Sequence, residues 1–414
     1  MKTALDKAKT AQAERVLVIS SIFFSACLIL LLNFSIPAQA DPKARKPTKD
    51  FGKSLKQYEK KPERTNEQAK KVDSPDDDVI RVETNMVVTD VLVVNQKGNA
   101  LVGLGKDDFI ITENDVPQEM ELFSLGRNTS VPKSIVLILD YSGSMRPYIS
   151  NSVAAAKILI DKLGPGDRLA LVTDDVELIT DYSSDKALLR SKLDSLKNKA
   201  LGRNPGRSEQ YTALMASLNE LFSDEDIRPI VIFQADGDEF PLLKPMDVRL
   251  TRFYKERKFS FEDVKSTVER SRATIYSVIP GVRFFGLPRE DMIPRGVQAA
   301  GNILGQMPGR PNEKHMDEQS KRFAAVTAEE QLRRQGSMFE VARISGGYTS
   351  FLEKAEDADG IYDSIFKVIE NRYVIGYYPK NDARDGKRRS VKIEVKGHPE
   401  YLVLGRKTYF APKE

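Results

Sequence analysis

Apolar residues along this chain fall into two patterns, unbroken runs and residues recurring at fixed spacing, and together these outline its elements. Residues 135–139 (Ile-Val-Leu-Ile-Leu) and 230–233 (Ile-Val-Ile-Phe) contain no polar position. That is the signature of central strands covered on both faces. Residues 169–173, 176–180 and 274–279 read as further strands, and helical spacing recurs over 149–163, 185–196, 212–218, 261–272, 331–344 and 358–370. Strands alternating with helices predict an α/β fold built on a doubly wound, mostly parallel sheet.

The pattern changes on both flanks. Residues 79–94, 109–113 and 119–125 precede the α/β unit, and residues 373–379, 391–395 and 402–409 follow it; the first is rich in β-branched residues, and all read as strands. An antiparallel unit of about 50 residues buries too little to stand alone. The two flanks are therefore expected to close into one small antiparallel β-sandwich, with the α/β unit inserted between its halves.

Three stretches fit neither pattern. Residues 1–15 carry Lys2, Lys7, Lys9 and Arg15, and residues 16–40 carry no charge. Ile36-Pro37-Ala38-Gln39-Ala40 ends that stretch with a helix breaker and small residues at the positions a signal peptidase reads, which favours cleavage after Ala40. A membrane anchor through residues 16–34 is the other reading, since that run is nearly long enough to span a bilayer. Residues 41–77 are rich in Lys, Arg, Pro and Glu and predict a disordered basic spacer. Residues 281–317 hold several Gly and Pro without periodicity and predict a long surface insertion. The resulting plan is residues 1–40 as leader or anchor, 41–77 as spacer and 78–130 as the first half of the sandwich. Residues 131–345 form the α/β domain, and 346–414 form the closing helix and the second half of the sandwich.

Composition narrows the compartment and the partners. The chain has 414 residues and a net charge of +4 on 64 basic and 60 acidic side chains, a balance that does not point to nucleic acid. Its single cysteine, Cys27, lies within the apolar leader, so a chain cleaved after Ala40 has no disulfide and no thiol. Export would place it in the periplasm, outside the cell or at the cell surface.

The candidate chemistry sits where the apolar strands end. Asp140-Tyr141-Ser142-Gly143-Ser144 follows the first, and Asp236-Gly237 follows the second. Thr212 opens a helix after the polar loop 202–209. Ligands of doubly wound sheets bind at the carboxyl ends of strands, so these three segments are expected to converge. Asp140, Ser142, Ser144, Thr212 and Asp236 would then offer hard oxygen donors to Mg²⁺, or to Mn²⁺ or Ca²⁺. Asp174 and Asp175 read as solvated loop acids, and Asp238 as a group supporting the ligands from behind.

Asp-x-Ser-x-Ser followed by a distant Thr and an Asp-Gly resembles the metal-ion-dependent adhesion site of von Willebrand factor type A domains, over about residues 133–280. The resemblance implies a metal bound through Ser142, Ser144 and Thr212, with Asp140 and Asp236 acting directly or through water. It also implies an open metal position that takes an Asp or Glu from a protein partner, which is binding without turnover. Two departures stand out. Gln210-Tyr211 replaces the frequent Gly-Gly before the Thr, and Ala235 replaces the Thr before the Asp-Gly; Tyr211 is expected to narrow the site's mouth. The strand beginning Asp108-Phe109 and ending at Glu113, with the string 373–379, resembles a bacterial exported subfamily with β segments on both sides.

Two other functions compete with this reading. A metal-dependent hydrolase would use the cation as Lewis acid, but it needs a base, and the two histidines, His315 and His398, fall in the insertion and in a late turn. A scaffold with a purely structural metal is the second alternative.

Overall fold

The computed structural model describes residues 51–59, 86–97, 99–125, 133–202, 205–222, 228–239, 259–304 and 318–413. Residues 1–40, read above as leader or anchor, lie outside them. No described helix is long and apolar enough to cross a membrane.

The two apolar runs form the middle of a six-stranded sheet. Strands β5 (Lys133–Leu139), β6 (Arg168–Thr173), β7 (Leu178–Ser183), β8 (Arg228–Gln234), β9 (Thr274–Pro280) and β10 (Thr349–Leu352) lie in the order β10-β9-β8-β5-β6-β7. All pairings are parallel except β6 with β7. Side chains of β5 alternate between two cores. Ile135, Leu137 and Leu139 face α2 (Ile149–Asp161), α3 (Lys186–Leu201) and α8 (Asp357–Glu370), while Val136 and Ile138 face α4 (Gln210–Glu220), α5 (Phe261–Arg270) and part of α7 (Glu318–Ile344). Ile135 to Leu139 are fully buried, which is why no polar residue interrupts the run.

The chain leaves β5 toward β6 on one side and returns to β8 on the other. The carboxyl ends of β5 and β8 therefore flank the point where the winding reverses, and a crevice opens there. Asp140 N–H donates to Gln234 O at 3.0 Å, which holds the two strand ends in register at that crevice.

The flanking β segments form the expected sandwich. Strands β1 (Val87–Val94), β2 (Phe109–Glu113), β3 (Val116–Pro117) and β4 (Met120–Leu125) come from before the α/β unit, and β11 (Tyr373–Tyr377), β12 (Arg388–Val395), β13 (Leu402–Gly405) and β14 (Thr408–Phe410) from after it. One sheet has the order β13-β1-β11-β4 and the other β14-β12-β2-β3. The pairings β1–β11, β1–β13, β4–β11 and β2–β12 each join the two halves. Val91, Val93, Phe109, Ile111, Tyr373, Ile375, Tyr377 and Val391 fill the space between the sheets. Neither half could bury these side chains without the other.

Two expectations are corrected. Within the segment read as spacer, residues 51–59 are folded: a 3₁₀ turn Lys53–Leu55 leads into α1 (Lys56–Glu59). Leu55 is buried against the α4–α5 core, with Phe51 and Tyr58 packed beside it. Glu220, at the end of α4, accepts the N–H groups of Gly52 and Ser54, both at 2.8 Å, so a carboxylate meets the start of this helical turn. Composition hid the segment because its apolar residues are sparse, yet Phe51, Leu55 and Tyr58 have helical spacing.

The stretch 281–317 is also more regular than expected. It contains α6 (Arg289–Leu304), and α7 begins at Glu318, thirteen residues ahead of the predicted start at residue 331. Pro294 inside α6, with Gly296 and Gly301, breaks the sequence signal. Val282, Phe284, Ala299 and Ala328 make a small separate core that joins this hairpin to the end of β9.

Candidate metal centre

The first loop is built by its own backbone. Asp140 follows β5 directly, and its Oδ1 accepts the N–H of Ser142 at 2.8 Å, folding the chain back into a 3₁₀ turn over Gly143–Met145. That turn sets Ser142 Oγ 3.1 Å from Ser144 Oγ, and Ser144 Oγ donates to Asp236 Oδ2 at 3.0 Å. Asp140, Ser142, Ser144 and Asp236 thus meet at the crevice, as the sequence predicted. Asp140 is completely buried, and its carboxyl is held well above the ordinary range by burial first and then by the charges of Asp174 and Asp236.

Thr212 is held differently. Its hydroxyl donates to Glu239 Oε1 at 2.5 Å, and its N–H donates to Glu239 Oε2 at 3.0 Å, as does the N–H of Tyr211. Burial pushes Glu239 up to about 8 despite these three donors. Thr212 therefore stands in the first turn of α4 with its hydroxyl committed to Glu239.

Tyr211 does not narrow the mouth. It is fully buried, packing edge-on against Phe233 at 5.7 Å and Phe261 at 5.5 Å, so its ring belongs to the core. Gln210, the other departure from Gly-Gly, enters the site instead. Its Nε2 donates to Asp140 Oδ2 at 2.6 Å and to Asp236 Oδ1 at 2.7 Å, while its Oε1 accepts the N–H of Gly237 at 2.9 Å. One side-chain amide bridges both carboxylates.

Asp174 and Asp175 are not the solvated acids expected of them. Asp174 is fully buried and accepts the N–H groups of Tyr141 at 3.1 Å and Ser208 at 2.7 Å. Asp175 accepts the Tyr141 hydroxyl at 2.7 Å and the hydroxyl of Thr173. Both brace the loop from Asp140 to Ser144 from behind. Asp238 has the supporting place proposed for it, its N–H donating to Asp236 Oδ1 at 2.9 Å.

Arg334 is the residue that sequence reasoning missed. It projects from α7 to within 3.6 Å of Asp236 Oδ2 and 3.2 Å of Asp238 Oδ2, and it pairs with Glu330 at 2.5 Å. Burial opposes its charge, but Asp238, Asp236 and Glu330 outweigh that and hold the guanidinium above its usual range. The available signal was its spacing from Met338 and Val341, which puts an arginine on the buried face of a helix.

The donor set suits a hard divalent cation: two crowded carboxylates and two hydroxyls, all oxygen. Among the described residues no group of three or more His, Cys, Asp and Glu side chains is arranged to hold a metal, so binding here would depend on the serine hydroxyls. His398 lies in a sandwich turn, 3.0 Å from Glu400 and stacked on Tyr401. His315 lies outside the described residues.

Comparison with known proteins bears on the same region. The von Willebrand factor type A domain family matches residues 135–239, from β5 to the loop after β8. No curated protein sequence matches the chain. Among solved structures, BatB from Bacteroides thetaiotaomicron is 14% identical, with 57% of this chain and 98% of that one covered at a TM-score of 0.32. A von Willebrand factor type A protein from Catenulispora acidiphila is 10% identical, with coverage of 81% and 76% and a TM-score of 0.34. The vWF domain of the type V pili tip protein Mfa5 from Porphyromonas gingivalis is 14% identical, with coverage of 58% and 97% and a TM-score of 0.27. The strand order, the loop after β5 and the family match together place a von Willebrand factor type A domain at the centre of this chain.

Proposed function

We propose that this chain is an exported, non-enzymatic protein-interaction module whose α/β domain holds Mg²⁺, or Mn²⁺ or Ca²⁺, and presents it to an Asp or Glu of a partner protein. The observation that carries the reading is the meeting of Asp140, Ser142, Ser144 and Asp236 at the crevice between β5 and β8. Ser144 is partly accessible and Gly143 is exposed, so this edge can be reached from outside. A bound cation would supply a Lewis-acidic position for a carboxylate. The chain's own part is to hold the oxygens: Asp140 folds the loop, Asp174 fixes its backbone, and Ser142 and Ser144 aim their hydroxyls. Thr212 would contribute directly or through water after turning from Glu239.

A purely structural metal is less well supported. Gln210 already donates to both carboxylates and Arg334 lies within ion-pair reach of Asp236, so the fold does not depend on a metal to offset them. The test is Mn²⁺ binding followed by paramagnetic resonance in the wild type and in Ser144→Ala, together with capture of partners from envelope extract with and without chelator. Mn²⁺ binding lost in Ser144→Ala, with partners that chelator releases, is the expected result. Identical partners under both conditions would overturn the proposal.

A further inference from the structure

We infer that Arg334 is an internal counter-cation that competes with the divalent metal for Asp236, so that metal binding and release of the α7 contact are one event. This rests on the metal-site reading above and concerns how that site is regulated.

Four observations support it. The Arg334 side chain is only 9% exposed, so its guanidinium is confined with the carboxylates rather than reaching into water. It lies 3.6 Å from the same Asp236 Oδ2 that accepts the Ser144 hydroxyl, within ion-pair reach of the ligand edge, and 3.2 Å from the adjacent Asp238 Oδ2. The loop is also seated tightly on α7: Gly237 has φ of +79°, and a Cβ there would fall 2.7 Å from Arg334 O and 2.9 Å from Met338 Cγ. Lastly, Glu330, one turn earlier on α7, holds the guanidinium at 2.5 Å, and with Asp238 at 3.2 Å it remains a partner when Asp236 is taken.

Electrostatics makes the two cations exclusive. A divalent ion on Asp236 and a guanidinium a few ångströms away repel strongly at this depth, where screening by salt is weak. The metal's pull on Asp236 therefore moves Arg334 toward Glu330. Motion of that turn passes to its neighbour: Gln335 Oε1 accepts the N–H groups of Phe284 and Phe285 at 2.8 and 2.9 Å, and its Nε2 donates to Val282 O at 2.8 Å. The segment after β9, and with it the α6–α7 hairpin, is tied to the turn that carries Arg334. The hairpin thus becomes the surface that reports the metal's presence.

The test uses the full chain with Mn²⁺ as probe. Arg334→Gln is expected to bind Mn²⁺ at least about tenfold more tightly than the wild type, and Arg334→Lys, which keeps the charge, about as tightly as the wild type. Should Arg334→Gln fail to fold, hydrogen exchange on the wild type decides, with amides of residues 330–338 exchanging faster at saturating Mn²⁺. Equal Mn²⁺ affinity in wild type and Arg334→Gln, abolished in both by Ser144→Ala, leaves the metal site standing and overturns this inference alone. Unchanged exchange in α7 at saturating Mn²⁺ overturns it as well. Absence of Mn²⁺ binding in every variant overturns the metal-site reading and this inference with it.

Discussion

Asp174 Oδ2 accepts the backbone N–H of Ser208 at 2.7 Å, and through its other oxygen the same carboxylate holds the N–H of Tyr141, so one buried acid joins the loop after β5 to the loop before α4. A Cβ on Gly206 would lie 2.1 Å from Asp174 Oδ1, so the two loops meet with no room for a side chain between them. Burial pushes Asp174 up to about 7, although its backbone donors pull the other way. In the unfolded chain an aspartate titrates near about 3.9. Between these values the folded state binds more protons than the unfolded state, so stability is greatest at the acidic end of the window and falls as pH rises through it. Glu239, pushed up to about 8, extends the same slope. Chelator-treated protein unfolded in urea should lose several kcal/mol between pH 5 and pH 8, and Asp174→Asn should make the slope shallower, leaving the part due to Glu239. Stability that rises across this interval would refute the assignment.

How much of this was legible beforehand depends on whether each feature was local in the sequence. The fully apolar runs at 135–139 and 230–233 identified the sheet centre because burial on both faces leaves no polar position. Asp140, Ser142, Ser144 and Asp236 were readable for a related reason: each sits immediately beyond one of those strands, where the winding rule places ligands. Gln210 and Arg334 were not readable as site residues. Gln210 was visible only as a departure from Gly-Gly, and which of Gln210 and Tyr211 faces the site depends on the rotation of α4. Arg334 arrives from a helix nearly a hundred residues after Asp236, and only the tertiary fold brings them together. Asp174 misled because acids between strands are usually solvated; here two backbone donors point inward at it.

Metal removal should leave the fold intact. Gln210 and Arg334 already offset the charges of Asp140 and Asp236, so metal-free protein should stay cooperatively folded, and chelating the loaded protein should remove only the contribution of metal binding. Added Mg²⁺ at about a hundred times its Kd should stabilise the wild type by about 2.7 kcal/mol. Ser142→Ala with Ser144→Ala should cancel that gain while leaving the metal-free midpoint nearly unchanged. Calorimetry with and without chelator checks all three, and a collapse on chelation alone would point instead to a structural metal.

The folded segment at residues 51–59 predicts a local effect. Leu55 is 7% exposed, Tyr58 meets Phe259 edge-on at 6.0 Å, and Ser54 Oγ donates to Glu220 Oε1 at 2.5 Å. Leu55→Ala should cost about 2 kcal/mol of that docking, the low end for a leucine truncation because the site is shallow. Since the segment is an appendage to the α4–α5 core, the loss should appear as faster protease cleavage between residues 51 and 59, with global unfolding little changed. Equal cleavage rates in wild type and Leu55→Ala would show that the contact contributes nothing.

Glu113 tests whether the two β flanks form one cooperative unit. It sits at the end of β2, 2% exposed, and accepts hydrogen bonds from Tyr377 at 2.9 Å, Tyr409 at 2.8 Å and Arg389 at 3.3 Å. All three donors come from beyond the α/β domain, so this carboxylate fastens the chain's late strands to its early ones. Glu113→Ala removes the common acceptor and leaves two phenols and a buried guanidinium short of a partner. Arg389 keeps Asp385 at 3.9 Å and donates to Ala383 O at 2.5 Å, so the expected cost is about 3 kcal/mol, near the lower bound for breaking a buried ion pair. Glu113→Gln, which still accepts, should cost less. Because the carboxylate belongs to the sandwich and not to the crevice, Mn²⁺ affinity measured under native conditions should be unchanged in both variants. If the inserted domain and the sandwich unfold together, urea transitions followed at the sandwich tyrosines and by far-UV circular dichroism should move to lower denaturant by the same amount. Separate transitions in the wild type would instead show that the inserted domain outlasts the strands that enclose it.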